Sequence, residues 1–87
     1  MKTLKELCKE ALDVQDACNL TGVLKSFDRT MGELRLLARE EGWEGTEAIN
    51  RHPVAILFSS KIASLTGSED GLEFSKAYDS VSKVVES

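Results

Sequence analysis

Three side chains in this sequence carry thiol or imidazole chemistry: Cys8, Cys18 and His52. A thiol works as a nucleophile when a base lies within hydrogen-bond reach and a third group orients that base. A zinc site needs three or four such ligands together. The spacing speaks against both. Cys8 falls inside an apolar stripe, which hides its sulfur. Cys18 lies ten residues further on and is read on the same helix. That separation is about 15 Å along a helix axis, whereas a disulfide tolerates roughly 4.4–6.8 Å between Cα atoms. Free structural thiols in a reducing compartment are therefore expected. In an antiparallel bundle Cys18 and His52 fall at opposite ends, leaving Cys8 and His52 as the nearest pair of soft ligands. No glycine-rich phosphate loop, nucleotide fingerprint or paired carboxylate set accompanies them. The expectation is no metal, no cofactor and no catalysis.

A second set suits binding. Arg29, Arg51 and Lys61 supply positive charge, and Asn19 and Asn50 supply directional hydrogen bonds. Together they could hold a small anionic, nucleotide-like ligand. His52, just before Pro53, either caps the next helix or serves as a ligand contact or a pH-sensitive interface. Trp43, between Gly42 and Gly45, reads as a lid over one end of the bundle or, alternatively, as an exposed contact residue.

The elements that must position these residues are helical. Leu20, Val23, Leu24, Phe27, Met31, Leu34, Leu37 and Ala38 recur at helical spacing, and Gly42 suits a left-handed C-cap. This central helix is about 30 Å long, enough to span a small domain and to organise every other segment. A first helix opens with the capping box Thr3-Leu4-Lys5-Glu6 and runs to Cys18, with Gln15 at the edge of its apolar side. Its stripe continues onto Gly22, Lys25 and Arg29, so a turn belongs near Cys18–Gly22, with Asn19 or Thr21 capping the central helix and Gly22 permitting a bend. Thr46 can cap a single turn through Asn50. Pro53 starts a third helix that Gly67 closes after Thr66, and Asp70-Gly71-Leu72-Glu73 reads as a capping box for a fourth. The Thr66-Gly67-Ser68 turn should lie near Asn19, and Trp43, Asn50, Arg51 and His52 near Met1 to Leu7. The sum is an all-α, four-helix, bundle-like single domain.

Two apolar residues do not fit that bundle. Leu36 lies opposite the stripe of the central helix, and Ile56 lies opposite that of the third, with Leu57 on its flank. Together they suggest a self-association surface, with Lys61, Arg29 and Ser60 lining a pocket between copies.

Composition narrows the partners. A net charge of -4 disfavours nucleic acid and a polybasic membrane anchor alike. No apolar run reaches the roughly 18 residues of a membrane span, and the first residues read as a helix start rather than a signal peptide. A cytoplasmic protein is expected.

The stretch Val14-Gln15-Asp16-Ala17-Cys18-Asn19-Leu20-Thr21-Gly22-Val23 resembles one shared by small uncharacterised proteins of bacteriophages and mobile elements. Asn50-Arg51-His52-Pro53-Val54, followed by Lys61-Ile62-Ala63-Ser64-Leu65, is similar to a second block of that group. The resemblance implies a setting in which small acidic proteins bind and block something, and transfers no activity. The expected function is a non-enzymatic homo-oligomer that sequesters a small anionic ligand or occludes a host protein. The alternative is an accessory subunit docking on a larger machine through an apolar helix face.

Overall fold

A computed structural model describes residues 2–43, 45–67 and 73–87, the side chains of residues 45–47 excepted. Among these residues lie five α-helices: α1 (Leu4–Asp13), α2 (Leu20–Glu41), α3 (Gly45–Asn50), α4 (Pro53–Thr66) and α5 (Phe74–Glu86). The all-α bundle-like architecture is as the periodicity requires, with four main helices and one short one. None of them is long and apolar enough to cross a membrane.

Local chemistry sets the boundaries. The Thr3 hydroxyl accepts from the Glu6 amide while the Glu6 carboxylate accepts from the Thr3 amide, closing both halves of the capping box. Asn19 Oδ1 accepts from the Gly22 amide at 3.3 Å and starts α2. Gly22 itself makes no close backbone approach: a Cβ there would meet only Asn19, at 4.0 Å. Gly42 and Gly67 end α2 and α4 at φ 72° and 79°, the left-handed conformation that glycine reaches without penalty. The caps read at Thr46 and Asp70, and the turn partner Ser68, lie outside the described residues and side chains.

The first helix is shorter than its stripe suggests. It stops at Asp13, passes through a single 3-10 turn at Val14–Asp16, and is extended by Ala17. The break has a polar cause. Gln15 Nε2 donates to the carbonyls of Ala11 at 3.0 Å and Leu57 at 3.3 Å, and Lys61 Nζ donates to the Gln15 carbonyl at 2.9 Å. The turn is thereby tied to α4 in both directions. Cys18 leaves the apolar stripe and is exposed, whereas Cys8 is buried.

The core forms two adjoining clusters. Cys8, Ala11, Val23, Val54, Leu57, Phe58, Ala77 and Val81 make the larger, and Leu7, Met31, Leu34 and Ala55 the smaller. Leu4 and Phe27 touch both. The central helix α2 does not organise every segment: α5 packs chiefly on α1 and α4. α4 meets α1, α2, α3 and α5, so apolar residues around its whole circumference are used within one chain.

Candidate functional site

The site is an open groove of about 350 Å³ where α3, α4 and α5 converge, within the range of ligand-sized clefts. Its wall is one stripe of α4, formed by Ile56, Ser59, Ser60 and Ala63 at helical spacing. Asn50, the last residue of α3, and Glu73 and Phe74, at the start of α5, complete the lining. Half-buried Ile56, Ala63 and Phe74, with Ser60 beside them, provide a largely apolar floor, and the exposed Ser59, Asn50 and Glu73 a polar rim. Phe74 also packs against Tyr78, ring centroids 5.7 Å apart, and Tyr78 is 45% exposed. Among the described residues no cation lines the groove, and Glu73 is its one charged group. The recess therefore suits an apolar group bearing hydrogen-bond donors or positive charge.

Of the ligand-binding residues singled out from sequence, only Asn50 lies there. Ile56 and Ser60, read as parts of a self-association surface, join it. Asn19 is used as the cap of α2. Lys61, expected beside a ligand, is half-buried and donates to the Gln15 carbonyl. Arg29 is exposed on α2 and Arg51 after α3, and neither they nor Lys61 line the groove.

His52 is the cap of α4. Its Nδ1 accepts from the Val54 amide at 3.2 Å, and its ring stacks on Trp43 with centroids 5.3 Å apart and planes 17° from parallel. Accepting at Nδ1 requires that nitrogen to be unprotonated. Burial pushes the His52 pKa below its ordinary value, which favours the same neutral state. Trp43 in turn is half-buried and packs on the smaller core cluster, as Ile49 does.

The residues expected to drive self-association fall into three separate environments. Leu57 is fully buried in the larger cluster and faces no partner, a correction to its reading as a flank residue. Ile56 is half-buried in the groove and packed against the same cluster. Leu36 is 44% exposed on the side of α2 turned away from the core. Leu24, assigned to the stripe of α2, is also exposed, at 45%. Among the described residues no continuous apolar seam joins Leu36, Ile56 and Leu57.

Burial raises the Cys8 pKa, keeping its sulfur as the unreactive thiol. Among the described residues no group of three or more His, Cys, Asp or Glu side chains is arranged to hold a metal ion.

The residues that sequence reading missed are Ser59, Ala63, Glu73 and Phe74. Ser59, Ser60 and Ala63 follow Ile56 at helical spacing, so the shallow stripe was visible. What was not visible is that the start of α5 returns across it.

The chain was compared with protein-family models, with curated proteins and with solved structures, and none matches it.

Proposed function

We propose that this chain is a small non-enzymatic binding protein that holds an apolar group, neutral or positively charged, in the groove between α4 and α5. The observation that carries the reading is the groove lining: an apolar floor of Ile56, Ala63 and Phe74 beneath the Asn50 and Glu73 rim, with no cation facing in among the described residues. A carboxylate at the mouth of an apolar recess favours an amine or guanidinium carried on a hydrophobic body. Such a group belongs equally to a small amine or to a side chain of a host protein. The resemblance to phage and mobile-element proteins supplies a setting for this, inside a host cell, where occupying a surface is sufficient for function. Self-association is not required for it, since the groove is formed within one chain.

The test uses isotope-labelled protein titrated with tryptamine, an apolar amine, and separately with ATP, followed by amide chemical shifts. Tryptamine should move Asn50, Ile56, Ser59, Ala63 and Phe74 and raise the melting temperature. Shifts with ATP centred on Arg29, Arg51 and Lys61, with none from tryptamine, would replace this reading with an anion held between copies of the chain. Light scattering on the same samples separates a monomer from an oligomer. Silence with both probes would remove the groove as an amine site and the three cations as an anion site alike.

A further inference from the structure

We infer that the outer face of α2 is a second docking surface, distinct from the groove, and that it fits an acidic amphipathic helix of another protein. At about 100° per residue, Lys25, Arg29, Gly32, Leu36 and Arg39 line the side of α2 opposite Leu34, with Arg35 at its margin. All four cations are exposed, and among the described residues none makes a salt bridge or a side-chain hydrogen bond. The carboxylates bordering them are Asp28 and Glu40, with Glu10 of α1 near enough to Arg29 for its pKa to be lowered by that charge, while Glu33 turns aside to accept from the Lys2 amide at 3.1 Å. A chain of net charge -4 thus carries a net positive face along its longest helix.

Two further features lie on that face. Leu36 is 44% exposed, opposite the core, and left open by the described residues. Gly32 sits mid-helix, where glycine costs roughly 1 kcal/mol relative to alanine. A Cβ at Gly32 would meet nothing within 4 Å and its φ is not positive, so neither packing nor backbone conformation within the chain calls for glycine there. A second helix crossing at this point would use the missing side chain, because helix axes approach to 8–10 Å only where contact residues are small enough.

The chemistry of the face selects the occupant. Positive charge ringing an apolar spot is complementary to leucines flanked by glutamates or aspartates. A second copy laid symmetrically on the same face would set a net positive surface against itself. Nucleic acid would gain from the cations, but its phosphates would leave Leu36 uncovered and would approach Asp28 and Glu40.

The experiment titrates the isotope-labelled chain with two synthetic amphipathic helical peptides of identical leucine spacing, one flanked by glutamates and one by lysines. A duplex DNA of arbitrary sequence forms a third arm. The acidic peptide should shift the amides of Lys25, Arg29, Gly32, Leu36 and Arg39, and the lysine-flanked peptide should not. Arg29→Glu combined with Arg39→Glu should weaken the acidic peptide about tenfold, as exposed charge contacts turn repulsive. Gly32→Leu should block it too, while circular dichroism shows the fold intact in both variants. Equal binding of the two peptides would overturn the inference, as would acidic-peptide shifts confined to Asn50, Ile56 and Phe74. DNA shifting the α2 residues without any peptide effect would make the face a nucleic-acid surface. Concentration-dependent shifts there in the chain alone would make it a self-contact. A null result at α2 leaves the tryptamine result at the groove standing, and the reverse holds equally.

Discussion

The α4–α5 groove and the outer face of α2 both begin from an apolar residue on the wrong side of a helix, and the two residues have different explanations. Ile56 is surplus only until α5 is placed: Phe74 comes down on the same stripe, and the half-buried isoleucine becomes the floor of a recess. Leu36 receives no such neighbour among the described residues, because α5 packs chiefly on α1 and α4 rather than on α2. An apolar second face therefore signals a partner only on an element with packing on one side. On a helix with neighbours all round, it signals the rest of the same chain.

The sharpest way to break that comparison is to truncate one leucine of each kind. Leu57→Ala removes a fully buried side chain from the larger cluster and should cost about 2–5 kcal/mol. Leu36→Ala should leave stability within about 0.5 kcal/mol, as an exposed site does. Chemical denaturation of the two variants reads both values. Comparable losses would mean that a second copy of the chain covers Leu36 in solution.

This contrast also shows where the sequence was legible. Periodicity, the Thr3–Glu6 box, the Asn19 cap, the glycine stops and the Pro53 start are properties of a few neighbouring residues, and they located α2, α4 and the beginning of α1. The end of α1 was not legible, because it is set by Gln15 and Lys61 reaching across to partners 42 and 46 residues away. Lys61 illustrates the general difficulty: a cation at the edge of an apolar stripe looks like a ligand contact until its carbonyl partner is known. Of the groove, Asn50, Ile56 and Ser60 were singled out, but as parts of different sites, since only the tertiary fold brings α3 and α5 to α4.

The inner side of α2 supplies the next test, because it carries the opposite polar chemistry to the outer. Thr30 is fully buried and donates its hydroxyl to the Glu10 carboxylate at 2.9 Å, and Lys2 pairs with the same carboxylate. Burial alone would raise the Glu10 pKa, but the Lys2 and Thr30 hydrogen bonds and the charges of Lys2 and Arg29 outweigh it and lower it. Thr30→Val removes the donor, and a hydrogen bond to a charged group is worth roughly 1.5–3 kcal/mol. The pH dependence has a definite sign. The stabilisation is present above the ordinary carboxylate pKa and disappears as pH falls through the depressed folded value. Urea midpoints measured from neutral pH into that acid range should fall in the parent chain and fall less in Thr30→Val. Charge reversal on the outer face should leave this profile largely intact, apart from the Arg29 contribution.

His52 gives a smaller effect in a different window. Because burial holds its pKa below the ordinary value of 6.5, folding favours the neutral ring. Its contribution is complete above that ordinary value and is lost as pH falls through the folded pKa. Protonation also removes the Nδ1 acceptor from the Val54 amide, a cap worth about 1 kcal/mol. Trp43, the one tryptophan, lies on the ring and reports the change by fluorescence. His52→Asn should keep the cap, since asparagine is a strong N-cap residue, and abolish the pH step. A step that survived the substitution would assign the titration elsewhere.

The smallest expected change discriminates most finely between the two faces. Gly32→Ala adds a methyl group that meets nothing within 4 Å, at a position where alanine is the better helix former by roughly 0.8–1.0 kcal/mol. The isolated chain should therefore become more stable, with its denaturation midpoint rising while the m-value stays constant. If the outer face of α2 receives another helix, the same methyl occupies the crossing point, and affinity for the acidic peptide should fall as stability rises. Ser59→Ala on the groove should show no such opposition, since its side chain is exposed at a rim and sits in a different recess. A Gly32→Ala chain that gained stability and kept its full affinity for the peptide would leave the glycine without a role in docking. Only a loss of binding from a better-folded protein ties the residue to a partner, because damage to the fold lowers both together.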